Sequence, residues 1–201
     1  MNDSKEHIIT VASKLFLQKN FKEVTMKEIV DKTGLSKGAF YHYFESKEKL
    51  FEEVIDHFLF SQVYFDFDKH SNGSLHEFYN ACANNSNPLK GIILENADTD
   101  DASEFVPNFY FLIFDAMNLI SGFKKKMGDF SKKEISEWTK AVKKAKESGE
   151  IKSPLSDKQI AMIFISTADG VAMNMILGGK YENLRKELLS LWDGFYKSLK
   201  A

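Results

Sequence analysis

The stretch T-M-K-E-I-V-D-K-T-G-L-S-K-G-A-F-Y-H-Y-F-E-S-K-E-K-L, residues 25–50, decides the fold. Thr25 and Glu28 have capping-box spacing, in which the threonine hydroxyl accepts from the Glu28 amide and the carboxylate reaches back. Met26, Ile29 and Val30 then fall on one helical face. Gly34 can take the left-handed conformation that stops a helix, and Leu35 can anchor the turn. Ser36 can cap a second helix through its side-chain oxygen. In that helix Ala39, Phe40, Tyr43 and Phe44 are expected to face inward, and Lys37, Gly38, Tyr41 and His42 outward.

A helix, a short turn containing Gly and a second helix make the helix-turn-helix plan, whose second helix enters the DNA major groove. Lys37 can reach a phosphate or a guanine edge. Gly38 and Ala39 leave room for close approach, and Tyr41 and His42 can bond phosphate or base edges. Lys47 opens the next helix, where free amides attract anions. The same spacing also suits an ordinary helical hairpin with a solvated face.

The run from Thr25 to Phe51, with G-L-S-K-G-A-F-Y-H-Y-F-E-S-K-E-K-L at its centre, resembles the tetracycline-repressor (TetR) family of bacterial regulators. The resemblance extends back over the first helix and covers roughly the first quarter of the chain. It implies an all-α homodimer with a three-helix DNA reader at residues 1–47. Residues 48–201 would form a helical domain for effector binding and dimerisation. Residue by residue, Thr25 and Lys47 match helix starts that contact phosphate. Lys37, Gly38, Ala39, Tyr41, His42 and Tyr43 match the recognition helix, and Ser36, its cap, joins the DNA-facing set.

Composition bounds the rest. The 201 residues can bury a sizeable core. The net charge of -2 gives no overall basic signal. Residues 1–50 nevertheless carry nine Lys against seven acids, while the remainder is acidic, the expected sign for an N-terminal DNA contact. Arg185 is the only arginine, so the reader has no guanidinium fork for guanine. Cys82 is the only cysteine, which excludes an intrachain disulfide and fits a reducing cytoplasm. No signal peptide opens the chain. The most apolar stretch, 160–177, contains Ser166, Thr167, Asp169 and Asn174. It is therefore read as a buried helix rather than a membrane span.

Helical spacing predicts a first helix over 3–20, ended at Asn20-Phe21, and a long fourth helix over 46–66. Residues 66–74 read as a solvated loop. Ser74 and Glu77 box the start of a helix with Leu75, Phe78, Tyr79 and Cys82. Residues 105–127 read as one aromatic helix starting near Pro107. Lys124–Lys126 would close it, where cations suit the dipole. Ser131 and Glu134 box a polar helix that Gly149 ends, with Trp138, Val142 and Ala145 inward. Ser156 and Gln159 box the apolar helix, apolar nearly all round and so expected to be buried on more than one side. A last helix spans about 182–199.

The last two helices can pair with their copies as a four-helix interface, through Phe164, Leu184, Leu188, Leu191 and Phe195. Phe78, Phe109, Phe114, Met117, Met162 and Met173 are candidate pocket residues for an apolar or aromatic effector. No cofactor motif, metal-ligand spacing or nucleophile–base arrangement is present, so an enzyme is not expected. These readings add up to a repressor that binds a palindromic operator as a dimer and is released by a small molecule. The other reading is a small-molecule sensor whose helix-turn-helix serves protein contacts.

Overall fold

A computed structural model describes residues 3–57, 67, 73–85, 105–178 and 184–200, and the described residues are helical with no strand among them. They form α1 (Asp3–Glu23), α2 (Met26–Thr33), α3 (Lys37–Tyr43), α4 (Lys47–Ile55), α5 (Leu75–Asn85), α6 (Phe105–Leu119), α7 (Phe123–Glu147), α8 (Asp157–Gly178) and α9 (Leu184–Leu199). Two compact units result, residues 1–64 with 89–124 and residues 65–88 with 125–201. This grouping differs from a division in chain order after residue 47. The far part of the expected fourth helix and the 66–74 loop, apart from Phe67, Gly73 and Ser74, lie outside the described residues.

In the first unit, α1 packs on α2, α4 and α6. Its buried face is Ile8, Ile9, Ala12, Leu15 and Phe16, the periodicity expected for an amphipathic helix. Asn20 breaks α1 with a φ of 70°. Its Oδ1 accepts from the amides of Lys22 and Glu23, which holds one further turn. Phe16, Phe21 and Phe51 then meet around a common point, with ring centroids 4.6–5.8 Å apart. Such offset and edge-on arrangements suit the ring quadrupoles.

The second unit is built on rings. Trp138 of α7 stacks on Phe164 of α8 at 5.1 Å, and Tyr79 of α5 meets the opposite neighbours Phe164 and Trp192 at 5.6 and 5.9 Å. The polar tips of Trp192, Tyr79 and Tyr196 find partners, as buried Tyr and Trp usually do. The Trp192 indole donates to the Phe164 carbonyl at 3.0 Å, and Tyr79 Oη donates to Asp193 at 2.6 Å. Tyr196 Oη donates to Glu150, whose carboxylate also accepts the Leu75 and His76 amides that open α5.

Three expected boundaries are corrected. Residues 105–127 are not one helix, because Gly122, at a φ of 80°, turns the chain between α6 and α7. Lys124–Lys126 therefore sit in the first turn of α7, where the dipole does not favour cations. Ser131 and Glu134 are interior to α7 rather than its start. Elsewhere the caps are as expected. Ser74 and Glu77 exchange bonds of 2.8 and 3.1 Å, Ser156 and Gln159 bonds of 2.9 and 3.3 Å, and Gly149 ends α7 at a φ of 75°.

Candidate nucleic-acid interface

The local chemistry of residues 25–50 positions α3. Thr25 Oγ1 accepts from the Glu28 amide at 3.1 Å. Gly34 ends α2 at a φ of 68°, a left-handed conformation that costs a glycine little. Ser36 Oγ accepts from the Ala39 amide at 3.3 Å, and Ser46 Oγ from the Lys49 amide at 3.1 Å. Phe40 and Phe44 anchor α3 in the core. The His7 ring meets the Thr33 carbonyl at 3.0 Å and ties α1 to the end of α2. These contacts fix the position of α3 within the first unit.

Of the nine predicted DNA-facing residues, Thr25, Ser36, Lys37, Gly38, Ala39, Tyr41 and His42 are exposed, while Tyr43 and Lys47 are half-buried. Ala39 corrects the expectation that it faces inward. The buried side of α3 is carried by Phe40, with Tyr43 at its edge. The Lys37 ammonium lies 5.9 Å from the Tyr41 ring centroid, one turn along the same face. Glu28 is engaged by Lys19 at 2.6 Å, and this bond is the main cause holding its carboxyl below the usual range.

Lys47 has a role that sequence reasoning missed. Its ammonium donates to the carbonyls of Phe21 and Val24, both at 2.8 Å, and sits 4.2 Å from the centre of the Phe21 ring. It clamps the α1–α2 connection to the start of α4, which leaves it poorly placed to reach out to a phosphate. The signal in the sequence is the aromatic Phe21 just past the Asn20 break, which leaves carbonyls for a cation to satisfy.

The expected pocket residues are not a single set. Phe114 and Met117 belong to the first unit, on α6, and are exposed, Phe114 at 54 %. With Phe111 they form an apolar stripe opposite Leu112 and Ala116, which are buried. The Phe109 side chain lies outside what the structure describes. Phe78, Met162 and Met173 belong to the second unit. Phe78 is corrected from pocket to core: it is buried, edge-on to Trp138 at 5.0 Å. Met162 is half-buried and Met173 exposed.

The expected dimer residues also divide. Phe164 and Leu188 are corrected, since both are fully buried in the aromatic core of their own chain. Leu184 and Phe195 are half-buried, and Leu191 is 51 % exposed. The outer face of α8, expected to be buried on more than one side, instead exposes Ile163, Met173 and Leu177 in the single chain.

Among the described residues Glu134 of α7 is the most perturbed carboxyl. Desolvation, and then the nearby charge of Asp169, push it up to about 7. Asp169 is exposed as a residue, yet its own carboxyl is raised by partial desolvation. Burial, reinforced by Glu134, pushes the Cys82 thiol up, so it stays protonated, the opposite of what a nucleophile requires. Among the described residues no group of acids, His and Cys could hold a metal ion, and no helix is long and apolar enough to cross a membrane.

Residues 8–54 match the family model for bacterial regulatory proteins of the tetR family. An uncharacterised HTH-type transcriptional regulator of Bacillus subtilis strain 168, YerO, is 42 % identical over 59 residues, 29 % of this chain and 20 % of that protein. The HTH-type transcriptional repressor NemR of Escherichia coli K12 is 38 % identical over 47 residues, 23 % of this chain and 24 % of NemR. The matched segment thus spans a quarter or less of those relatives. Over the whole chain the likeness is one of fold. The reduced form of E. coli NemR covers 99 % of this chain and 98 % of its own at a TM-score of 0.62 and 17 % identity. A TetR-family regulator from Agrobacterium tumefaciens covers 98 % of both chains at a TM-score of 0.67 and 13 % identity.

Proposed function

From the match of residues 8–54 to the tetR family model we propose that this chain is a tetR-family, ligand-responsive transcriptional repressor. The observation that carries the reading is the exposed row Lys37, Gly38, Ala39, Tyr41 and His42 on a helix fixed at both ends by caps. Residues 1–47 act as the reader, and 48–201 bind the effector and the second copy. The apolar outer face of α8 and Leu191 of α9 form the two-fold contact. Two copies of α3 then enter successive major grooves of a palindromic operator, roughly 34–36 Å apart for half-sites one turn apart. Thr25 and the amides opening α4 take phosphates.

The effector is an apolar or aromatic small molecule held against the Phe111–Phe114–Met117 stripe. Because α6 packs on α1 and α4, a ligand that favours one position of α6 shifts the reader. A coupling of about 1–3 kcal/mol changes operator affinity roughly 5–150-fold. The protein works in the cytoplasm and has no catalytic role.

The test is an anisotropy titration of the full chain against the DNA flanking its own gene, and against fragments selected from the genome, at two salt concentrations. Competitor-resistant binding with a steep salt slope is expected, because phosphate contacts release counterions. Weak binding equal for every sequence would leave the helix-turn-helix as a protein contact instead.

A further inference from the structure

On a helix with 3.6 residues per turn, the direction opposite the buried Phe40 is taken by Gly38 and His42. Ala39 and Tyr41 flank them, and Lys37 lies beyond Tyr41, with its ammonium near that ring. A Cβ built on Gly38 would meet no atom within 4 Å. Packing therefore does not require a glycine there. At the centre of the outward face, it leaves the α3 backbone bare towards whatever approaches.

The base-reading groups that α3 lacks narrow the rest. It has no Asn or Gln for the bidentate adenine contact, no Arg for the guanine fork, and no Asp or Glu to accept from cytosine. The N-terminal residues of a recognition helix are the ones that meet base edges. In α3 these offer an ammonium, a bare backbone and a methyl group, in that order.

Resting on the repressor reading above, we infer that each operator half-site is read through one guanine by Lys37 and through one thymine methyl by Ala39, with Gly38 seating the backbone between them. The lysine donates to guanine N7 and O6 as a point charge, and the alanine methyl packs on the thymine C5 methyl. Tyr41 and His42, further along the helix, serve phosphates or the groove wall.

The experiment uses the full chain and the best duplex it selects from random sequence. Each thymine of a half-site is replaced in turn by deoxyuridine, which removes only the methyl. Each guanine is replaced in turn by 7-deazaguanine, which removes only N7. For the unaltered protein, one deoxyuridine position should weaken binding about 3-fold or more, as expected for loss of one buried methyl contact. One 7-deazaguanine position should weaken it about 5-fold or more. The first sensitivity should vanish in Ala39→Gly and in Ala39→Ser, the second variant guarding against loss of helix in the first. The second sensitivity should vanish in Lys37→Ala.

Tight selective binding that ignores every analogue would overturn the inference while leaving the repressor reading intact. So would sensitivities that persist unchanged in the folded variants. If the selection returns no preferred duplex at all, the repressor reading fails and this inference falls with it.

Discussion

The helices proposed as the reader draw their aromatics from Phe and Tyr alone, while the aromatic core of the second unit adds both tryptophans, Trp138 and Trp192, and the two regions are specified at different ranges. In the reader, the fold is set within a few residues: Thr25 caps Glu28, Gly34 turns, Ser36 caps Ala39, Ser46 caps Lys49. In the second unit, Tyr79, Trp138, Phe164 and Trp192 come from four helices and meet only through tertiary packing. Local chemistry therefore shapes α2 and α3, and long-range packing shapes the second unit. The two regions should break differently.

The largest effect belongs to the core. Phe164 is fully buried and touches rings from three other helices. Phe164→Ala should destabilise the protein by about 3–5 kcal/mol through lost transfer energy and the cavity left behind. Urea unfolding followed by tryptophan fluorescence measures it, since Trp138 and Trp192 both border the site. A change below about 1 kcal/mol would mean that the ring cluster is not the core of the second unit.

Next is Glu134, whose carboxyl desolvation raises. The fold raises Glu134 from an ordinary value of 4.5 to about 7, so the native state binds the proton more tightly than the unfolded chain. The cost of ionising it appears as pH rises from about 4.5 and is complete above about 7. Glu134→Gln should accordingly be more stable than the unaltered protein at pH 8, by roughly 2 kcal/mol after allowance for partial solvation. The two should melt alike at pH 4, below both values, because Glu134 is then mostly protonated in the native and the unfolded chain alike. Equal stability at both pH values would refute the burial of that charge.

Glu134 also shows where sequence reading runs out. Ser131 and Glu134 have the spacing of a helix start, and so do Ser74 with Glu77 and Ser156 with Gln159. Only the last two pairs cap. The pattern states that a cap is possible; it does not state that a helix has not already begun, and α7 begins eight residues earlier, after Gly122. Glu134 then turns towards the core instead of towards an amide. Lys47 and Phe164 fail for a related reason. The first reads as a free cation until two carbonyls 23 and 26 residues away are brought to it. The second reads as seam until the chain folds over it. The reader's caps were legible because a cap is decided within three or four residues. Exposure of Lys37, Gly38, Tyr41 and His42 was legible for the same reason, as the face opposite Phe40.

A smaller effect tests that local specification. Ser36→Ala removes the acceptor for the Ala39 amide and should cost about 1 kcal/mol. That loss is modest for the whole protein, but it falls on a helix of seven residues. Amide hydrogen exchange should quicken in α3 and leave α7 to α9 unchanged, and operator binding should weaken. Uniform acceleration across both units would mean that the reader is not held by its own caps.

The smallest effect carries the clearest separation between holding the fold and using it. Gly38 lies inside a helix at a position where a Cβ meets nothing. Glycine in a helix is less stable than alanine because it loses more conformational freedom on folding. Judged on the fold alone, Gly38→Ala should stabilise the protein, by about 0.5 kcal/mol. Judged on a close approach of the α3 backbone to base edges, the same methyl group should obstruct, and operator affinity should fall. Thermal melting and a titration on one preparation give both signs at once. A rise in both stability and affinity would show that the methyl fills space the DNA leaves empty. The opposite signs expected here would mean that the reader carries a glycine its own fold does not need.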